Sequence, residues 1–202
     1  MIKAIIFDIG NVIYKFDNKK FIEKISEHSK KSSDELYDLI YKTELVKKYE
    51  SGKITSQEFY TTAKKICSIE ISEEKFREAY TNIFTPITKT FDLIKKLKND
   101  KNYKLALLSN TSEWDYEIAI EPFIKDLFEK AILSYKVKSI KPEKEIYIQA
   151  LSELNFKAEE CIFIDDLEKN LEPAKRLGLS TILYKNHENL IKELKFLDIE
   201  VK

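Results

Sequence analysis

The sequence predicts an α/β fold in which helices cover both faces of a parallel sheet. Short apolar runs recur along the chain, and helical patterns lie between most of them, an alternation that is typical of parallel sheets. Between residues 17 and 84 no such run occurs, and only amphipathic segments are found. The chain therefore reads as a sheet-based core with a helical insert.

The apolar runs are the predicted strands. Residues 3–8, Lys-Ala-Ile-Ile-Phe-Asp, end in an acid with a glycine soon after, which indicates a buried parallel strand followed by a loop. Similar runs cover residues 104–109, 130–134, 161–165 and 180–184. Apolar residues at helical spacing precede the second and the fourth of these strands. Five strands are therefore expected in the core.

The insert is predicted to be helical throughout. Phe21, Ile22 and Ile25 share one helical face, and Asp17 or Asn18 is a plausible N-cap. A second helix is expected around residues 36–41, and further helices open near Ser56 and Ser72. We predict a discontinuous core of residues 1–16 and 85–202 and a helical cap of residues 17–84. The cap follows the carboxyl end of the first strand, where it would overhang the usual site of such a sheet.

Composition excludes several classes of protein. Lys plus Arg and Asp plus Glu both number 35 among 202 residues, so no basic nucleic-acid footprint is expected. No apolar run approaches the ~20 residues that span a membrane. Cys67 and Cys161 form no C-x-x-C pair, which favours free thiols in a cytoplasmic protein. With only three glycines and two histidines, the chain has no phosphate-binding glycine loop and no histidine-rich zinc site.

Four loci carry polar residues of definite type. They are Asp8-Ile-Gly-Asn-Val12, Ser109-Asn110-Thr111, Lys141-Pro142 and Asp165-Asp166. The carboxyl ends of parallel strands face one crevice, so three carboxylates and one ammonium are expected to converge there. Close carboxylates repel each other unless a cation is present, and Mg²⁺ prefers such hard oxygen ligands. The set suits attack of a carboxylate on a phosphoryl group beside Mg²⁺ and a lysine.

These four loci resemble, in order and spacing, the four motifs of the haloacid dehalogenase superfamily. The resemblance covers residues 1–16 and 85–202, and the insert is similar to that superfamily's first type of cap. It implies a Rossmann-like parallel sheet with an all-helical cap. It further implies a magnesium-dependent phosphomonoester hydrolase that acts on a small phosphorylated metabolite, such as a sugar phosphate. The groups that look most similar are sugar-phosphate phosphatases and the N-terminal phosphatase of epoxide hydrolases.

The resemblance also implies residue roles. Asp8 would be the nucleophile that forms an aspartyl-phosphate. Asp8, the Gly10 carbonyl and Asp166 would hold Mg²⁺, while the transferring phosphate would be bound by Ser109, Asn110 and Lys141, the last also with a catalytic role. Asp165 would orient Lys141 or a metal-bound water, and Asn170 would fix the loop; capping of the following helix is an equal alternative for both.

Gly10 departs from the superfamily pattern. Most phosphatases of the superfamily carry an aspartate there, which protonates the leaving alcohol, and general acid–base help is typically worth ~10²–10⁴-fold. Three explanations stay open: water or a cap residue supplies the proton, the protein hydrolyses something other than a phosphomonoester, or it binds phosphorylated ligands without turnover. The candidate region of the cap is the turn of residues 49–54, which we call the cap turn, with Glu50 and Lys53 as possible contacts to the substrate. Trp114 and Tyr116 either stack on a ligand or, more in keeping with their type, pack in the core.

Overall fold

The computed structural model describes residues 1–100 and 102–200, and within these residues five parallel strands form one sheet. The strands of the chain are β1 (Ala4–Phe7), β2 (Tyr14–Phe16), β3 (Phe84–Pro86), β4 (Lys104–Ser109), β5 (Lys130–Leu133), β6 (Cys161–Asp165) and β7 (Ser180–Leu183). The sheet has the order β5-β4-β1-β6-β7, and β2 and β3 pair separately as an antiparallel ribbon. The predicted α/β fold class is confirmed.

The helices alternate with the strands of the core and fill the insert. They are α1 (Asn18–Ser26), α2 (Ser33–Tyr41), α3 (Leu45–Glu50), α4 (Ser56–Cys67), α5 (Glu73–Thr81), α6 (Thr88–Asp100), α7 (Glu121–Ile124), α8 (Ser134–Val137), α9 (Lys144–Leu154), α10 (Glu168–Arg176) and α11 (His187–Phe196). A π-helix spans Asp115–Ile120, and short 3₁₀ turns span Lys125–Leu127 and Ala158–Glu160. Among the described residues, no helix combines the length and the apolar character needed to cross a membrane.

The central strand is buried on both faces because side chains alternate across a strand. Ile5 and Phe7 of β1 belong to one hydrophobic cluster, with α6 and α11. Ala4 and Ile6 belong to a second cluster, with α9 and α10. Strand β1 lies between β4 and β6 in register, so its polar successor Asp8 is held at the middle of the sheet edge.

The insert has a hydrophobic cluster of its own. Phe21, Phe59 and Phe76 are fully buried there, and Trp114 from the segment after β4 packs among them. The starts of α2 and α4 are fixed by capping boxes at Ser32 and Thr55, which satisfy backbone donors that a helix leaves free. The domain boundaries that we predicted, after residue 16 and after residue 84, stay a prediction. Strands β2 and β3 pair next to these boundaries, where the chain enters and leaves the insert.

Several elements escaped the sequence prediction. Helix α3 has only six residues, too few for a periodic pattern to stand out. The π-helix after β4 and the three-residue strands β2 and β3 are equally short. These four elements lie at the junction between the insert and the sheet, so their conformation is set by tertiary contacts.

Candidate active site

Asp8, Ser109 and Asp165 lie together because their strands end at one edge of the sheet. The strand order reverses at β1, with β4 on one side and β6 on the other. Ligands of open α/β sheets bind in the crevice at such a switch point. Asp8 directly follows β1, while Ser109 and Asp165 are the last residues of β4 and β6. The candidate site is therefore built on the three central strands of the sheet.

Asp8 is held by two donors at one oxygen. Ser109 Oγ donates a hydrogen bond of 2.8 Å to Asp8 Oδ1, and Lys141 Nζ lies 2.8 Å from the same oxygen. All three side chains are buried, with Asp8 at 7 % exposure. The carboxylate is thus fixed in one orientation, and its second oxygen is not used by these two bonds.

Lys141 is fixed by Asp165 and Asn110. Its Nζ donates to Asp165 Oδ2 at 2.6 Å. Asn110 bonds the Lys141 backbone twice, with its amide oxygen accepting from the backbone N–H at 2.7 Å and its amide nitrogen donating to the carbonyl at 3.0 Å. Both side-chain polar atoms of Asn110 are therefore engaged in holding the Lys141 loop.

Asp165 uses both of its oxygens within the protein. Oδ1 accepts from the backbone N–H of Leu167 at 2.9 Å, and Asn170 Nδ2 lies 3.0 Å and 3.1 Å from the two oxygens. With Lys141 on Oδ2, the carboxylate of Asp165 is saturated. Tyr147 OH donates to the Asn170 carbonyl at 2.7 Å, which anchors this arrangement to α9.

Burial and charge act in opposite directions on the pair of Asp8 and Lys141. Burial raises the pKa of Asp8 to about 6, although the Lys141 ammonium works against this and Asp165 adds to it. At neutral pH the Asp8 carboxyl is mostly ionised. Burial works to lower the pKa of Lys141, but the charges of Asp8 and Asp165 outweigh it and raise the pKa, so Lys141 is a cation.

A cluster of three carboxylates gives the site the character of a divalent-cation site. Oxygens of Asp8, Asp165 and Asp166 lie within 4.8 Å of one another, and Asp165 already has all of its bonding capacity used within the protein. Since Lys141 is the cation among them, the group has an excess of negative charge. Burial raises the pKa of Asp166, while a hydrogen bond of 3.0 Å from Asn11 Nδ2 to Asp166 Oδ2 opposes the shift. Hard oxygen donors with unbalanced charge fit Mg²⁺.

A cavity of about 280 Å³ opens beside this cluster. Gly10, Ser109 and Asn110 line it from the sheet edge. The remaining lining comes from the loop after β1, strands β2 and β3, the cap and the segment after β4: Ile9, Phe16, Asn18, Tyr41, Val46, Glu50, Tyr80, Ile83, Phe84, Thr111, Asp115 and Ile120. Because cap and core both contribute, a bound molecule would be enclosed between them.

The cap turn is docked firmly on the core. Ser134 Oγ donates to the Glu50 carbonyl at 2.6 Å and accepts from the Thr111 backbone N–H at 2.9 Å. Gly52 lies against the Tyr135 backbone carbonyl with φ of +64°, where any side chain would clash. These contacts place Glu50 at the cavity, whereas Lys53 is exposed and does not line it.

Glu50 and Asp115 carry carboxyl groups with altered acidity. Burial, and then the charge of Asp8, raises the pKa of Glu50 to about 7. Burial raises the pKa of Asp115 to about 8, against a hydrogen bond from Ser112 that works to lower it. The sequence pattern singled out Glu50 as a cap contact but missed Asp115 and Tyr41, which only the packing of the segment after β4 against α2 and α5 brings to the cavity.

Trp114 and Tyr116 flank Asp115 but face away from the cavity. Trp114 packs against Tyr49 and Phe59 of the cap, with ring centroids 5.9 Å and 6.2 Å apart. Tyr116 is buried in the cluster between the sheet and α6. Of the two alternatives for these aromatic residues, the structure has the core-packing one. Asp115, which lies between them in the sequence and was not predicted as a site residue, lines the cavity.

The chain belongs to the haloacid dehalogenase-like hydrolase family, whose model matches residues 2–178. It is 28% identical over 202 residues to a D-ribitol-5-phosphate phosphatase of Bacteroides thetaiotaomicron, covering 96% of this chain and 97% of that protein. A structure of a family enzyme from the same organism, in complex with magnesium and inorganic phosphate, matches with a TM-score of 0.79 and 28% identity over 92% and 95% of the two chains. A predicted family hydrolase from Porphyromonas gingivalis matches with a TM-score of 0.81 and 25% identity over 99% of each chain. The predicted family is thereby confirmed.

Proposed function

We propose that the protein is a magnesium-dependent phosphomonoester hydrolase in which Asp8 attacks phosphorus. The observation that carries this proposal is the setting of Asp8, whose Oδ1 is held by Ser109 and Lys141 at 2.8 Å each. An oriented, mostly ionised carboxylate beside a buried ammonium is equipped to form a covalent aspartyl-phosphate. The similar family structure with magnesium and phosphate supports the same chemistry.

Asp8, Asp166 and the Gly10 carbonyl would hold the metal. Asp165 is an unsuitable ligand because all of its bonding capacity is used by Lys141, Leu167 and Asn170. Asn11 orients Asp166 through one oxygen. When bound, Mg²⁺ would neutralise charge that develops on the phosphoryl oxygens.

Ser109 and Lys141 would bind the remaining phosphoryl oxygens. Asp8 forms the new bond to phosphorus while the bond to the ester oxygen breaks, and the alcohol leaves with a proton. Water then attacks the aspartyl-phosphate, loses a proton and releases phosphate, which regenerates Asp8. Asn110 acts as a positioning residue for Lys141, since its amide is already bonded to the Lys141 backbone.

Glu50 would take the place of the acid that Gly10 lacks. It lines the same cavity as Gly10 and Ser109, and its backbone is held by Ser134. With its pKa raised to about 7, the carboxyl is able both to give a proton to the leaving alcohol and to accept one from water. This favours the cap-residue explanation among the three that the sequence left open.

The substrate would be a small phosphorylated metabolite such as a sugar phosphate. The cavity of about 280 Å³ is just below the ~300–1,000 Å³ that is usual for ligand pockets, which favours a small substrate. The relative that acts on D-ribitol 5-phosphate supports a substrate of that size. A cytoplasmic location stays a prediction.

The test is release of inorganic phosphate from a panel of sugar, polyol and nucleoside monophosphates, with Mg²⁺ and after its removal by a chelator. We expect turnover that depends on Mg²⁺. Asp8→Asn should lower kcat on the order of 10³-fold or more, because the nucleophile is lost. Lys141 keeps its ion pair with Asp165 in this variant, so the fold should be retained.

Asp126→Asn serves as the matched control, since Asp126 is exposed and lies outside the cavity. It should behave like the unaltered protein. Activity retained by Asp8→Asn would remove Asp8 from the proposed role. Absence of turnover across the panel, together with measurable binding of the same esters, would favour the alternative of a protein that binds phosphorylated ligands without hydrolysing them.

A further inference from the structure

Two buried polar atoms at the cavity have no hydrogen-bond partner. They are the Tyr41 hydroxyl and Asp115 Oδ1, which find no partner among residues 1–100 and 102–200. Asp115 is 7 % exposed, and its other oxygen, Oδ2, accepts from Ser112 Oγ at 2.8 Å. The carboxyl group is therefore fixed with one oxygen unused. Buried polar groups are nearly always paired, and an unpaired one costs free energy.

We propose that Tyr41 and Asp115 form a subsite for the hydroxyl groups of the leaving alcohol, so that the enzyme selects phosphate esters of small polyhydroxy compounds. This inference rests on the proposed function and specifies its substrate. A phenol O–H donates and a carboxyl oxygen accepts. A hydroxyl group is both donor and acceptor, so hydroxyls satisfy both atoms, which an alkyl chain does not.

Charge at the cavity argues against other polar substrates. Glu50 and Asp115 both line it, and no lysine, arginine or histidine does so within the described part of the chain. A second phosphate or a carboxylate on the substrate would therefore find no counter-ion there. A substrate ammonium is also disfavoured, because burial raises the pKa of Asp115 to about 8 and leaves the carboxyl mostly neutral at pH 7.

The position of the subsite fits the other end of an ester bound at Asp8. Ser109, Asn110 and Thr111 line the cavity from the end of β4, and Asp115 lines it from the π-helix that follows. Tyr41 is the last residue of α2 in the cap. Burial and then the charge of Asp115 raise the pKa of Tyr41, in keeping with their proximity. The chain thus offers a phosphate end and a hydroxyl end within one small cavity.

The experiment compares matched pairs of esters. Glycerol, erythritol and ribitol phosphates are each measured against propyl, butyl and pentyl phosphate of the same chain length, with 5-aminopentyl phosphate as the cationic probe. We expect kcat/KM for the best polyol ester to exceed that of its alkyl partner by on the order of 10²-fold, since a site built for hydroxyls rejects analogues that lack them. Similar values within all three pairs, or preference for the aminopentyl ester, would overturn the proposal.

Two variants assign the preference to residues. Tyr41→Phe and Asp115→Leu should each reduce the ratio of polyol to alkyl kcat/KM by about 10-fold, the loss of one to two hydrogen bonds. Tyr37→Phe is the matched control: it removes the same hydroxyl one turn earlier on α2, from a ring that packs on Tyr41 but does not line the cavity. The control should keep the ratio. A ratio unchanged in both test variants would refute the assignment.

Binding measurements separate this inference from the proposed function. Calorimetry with Asp8→Asn gives the Kd of ribitol phosphate and of pentyl phosphate without turnover. Tighter binding of the polyol ester supports the subsite even if the unaltered protein releases no phosphate. Equal Kd values for the two esters contradict the subsite, even if the unaltered protein is an active phosphatase.

Discussion

The two ends of the cavity differ in how completely their polar groups are paired. At the sheet edge, Asp8 and Lys141 are bonded to each other and to Ser109 and Asp165. We call these four residues the floor. At the opposite end, Tyr41 and Asp115 each leave one buried polar atom without a partner among the described residues. We call these two residues, with Glu50, the distal wall.

The difference separates chemistry from recognition. A paired floor holds the reacting groups in place before substrate arrives, and such preorganisation is the main source of electrostatic catalysis. The unpaired atoms of Tyr41 and Asp115 gain hydrogen bonds only when a ligand supplies them, so the free energy of binding depends on which ligand is bound. Three of the four floor residues lie at strand ends and Lys141 lies in the loop before α9, whereas the distal wall is assembled from α2, α3 and the π-helix.

Glu50 provides the strongest test of the division between a catalytic floor and a recognising distal wall, because we assign a catalytic proton transfer to this residue of the distal wall. Glu50→Gln should lower kcat/KM for alkyl phosphates on the order of 10²-fold, the lower range for general acid catalysis. p-Nitrophenyl phosphate should lose far less, since its leaving group needs no proton. Glu44→Gln, at the exposed start of the same helix, is the control and should have no effect.

The pH profile adds a second readout. Asp8 must be ionised to attack, and bound Mg²⁺ favours the ionised form, so the rise of kcat/KM on the acidic side should lie below the pKa of about 6 that Asp8 has in the metal-free protein. Glu50 must be protonated to donate, so kcat/KM should fall through its pKa, about 7. In Glu50→Gln the fall on the alkaline side should disappear. Equal losses for alkyl and p-nitrophenyl phosphate, with an unchanged profile, would show that Glu50 only supports the cap turn.

Gly10 offers the reverse experiment, in which a carboxyl group is introduced at position 10, next to the floor, after the carboxyl group of Glu50 has been removed. A side chain at this position would approach Phe16 Cε1 at 3.1 Å, and Phe16 is exposed enough to shift. In the Glu50→Gln background, we expect Gly10→Asp to restore about 10-fold in kcat/KM for alkyl phosphates, by returning a general acid. Phosphate release is measured as before.

Gly10→Asn in the same background is the matched control, equal in size but unable to donate an acidic proton. Rescue by both variants would point to a steric effect at Phe16. Rescue by neither, with the fold intact, would indicate that a proton at this place does not limit the reaction and would weaken the role of Glu50.

The sequence predicted the floor better than the distal wall, for a physical reason. Asp8, Ser109 and Asp165 follow apolar runs directly, so predicting each strand also predicts where its terminal polar residue lies. Lys141 has no such run before it, and the sequence indicated only that the loop ahead of a helix could carry it to the crevice. Tyr41 and Asp115 sit on short helical segments whose approach depends on the cap cluster around Trp114, and no local pattern encodes that approach.

The last prediction concerns stability, and it tests the unpaired state of the distal wall without any substrate. The pKa of Asp115 is raised to about 8 from an ordinary value of 3.8. A carboxyl whose pKa is raised on folding contributes stability that is fully present below the unfolded pKa and is lost as pH rises through the folded pKa. The free energy of unfolding should therefore fall from acid to mildly alkaline pH.

Asp115→Asn isolates this contribution, because the amide keeps the shape of the side chain and does not ionise. Urea unfolding at about pH 5 and about pH 8 should give a smaller decline for the variant, by about 2 kcal/mol or more, at about 1.4 kcal/mol per pKa unit. Asp8 and Glu50 titrate with the same sign in both proteins and cancel in the comparison. Parallel declines would mean that Asp115 is paired in solution, and the contrast between floor and distal wall would lose its basis.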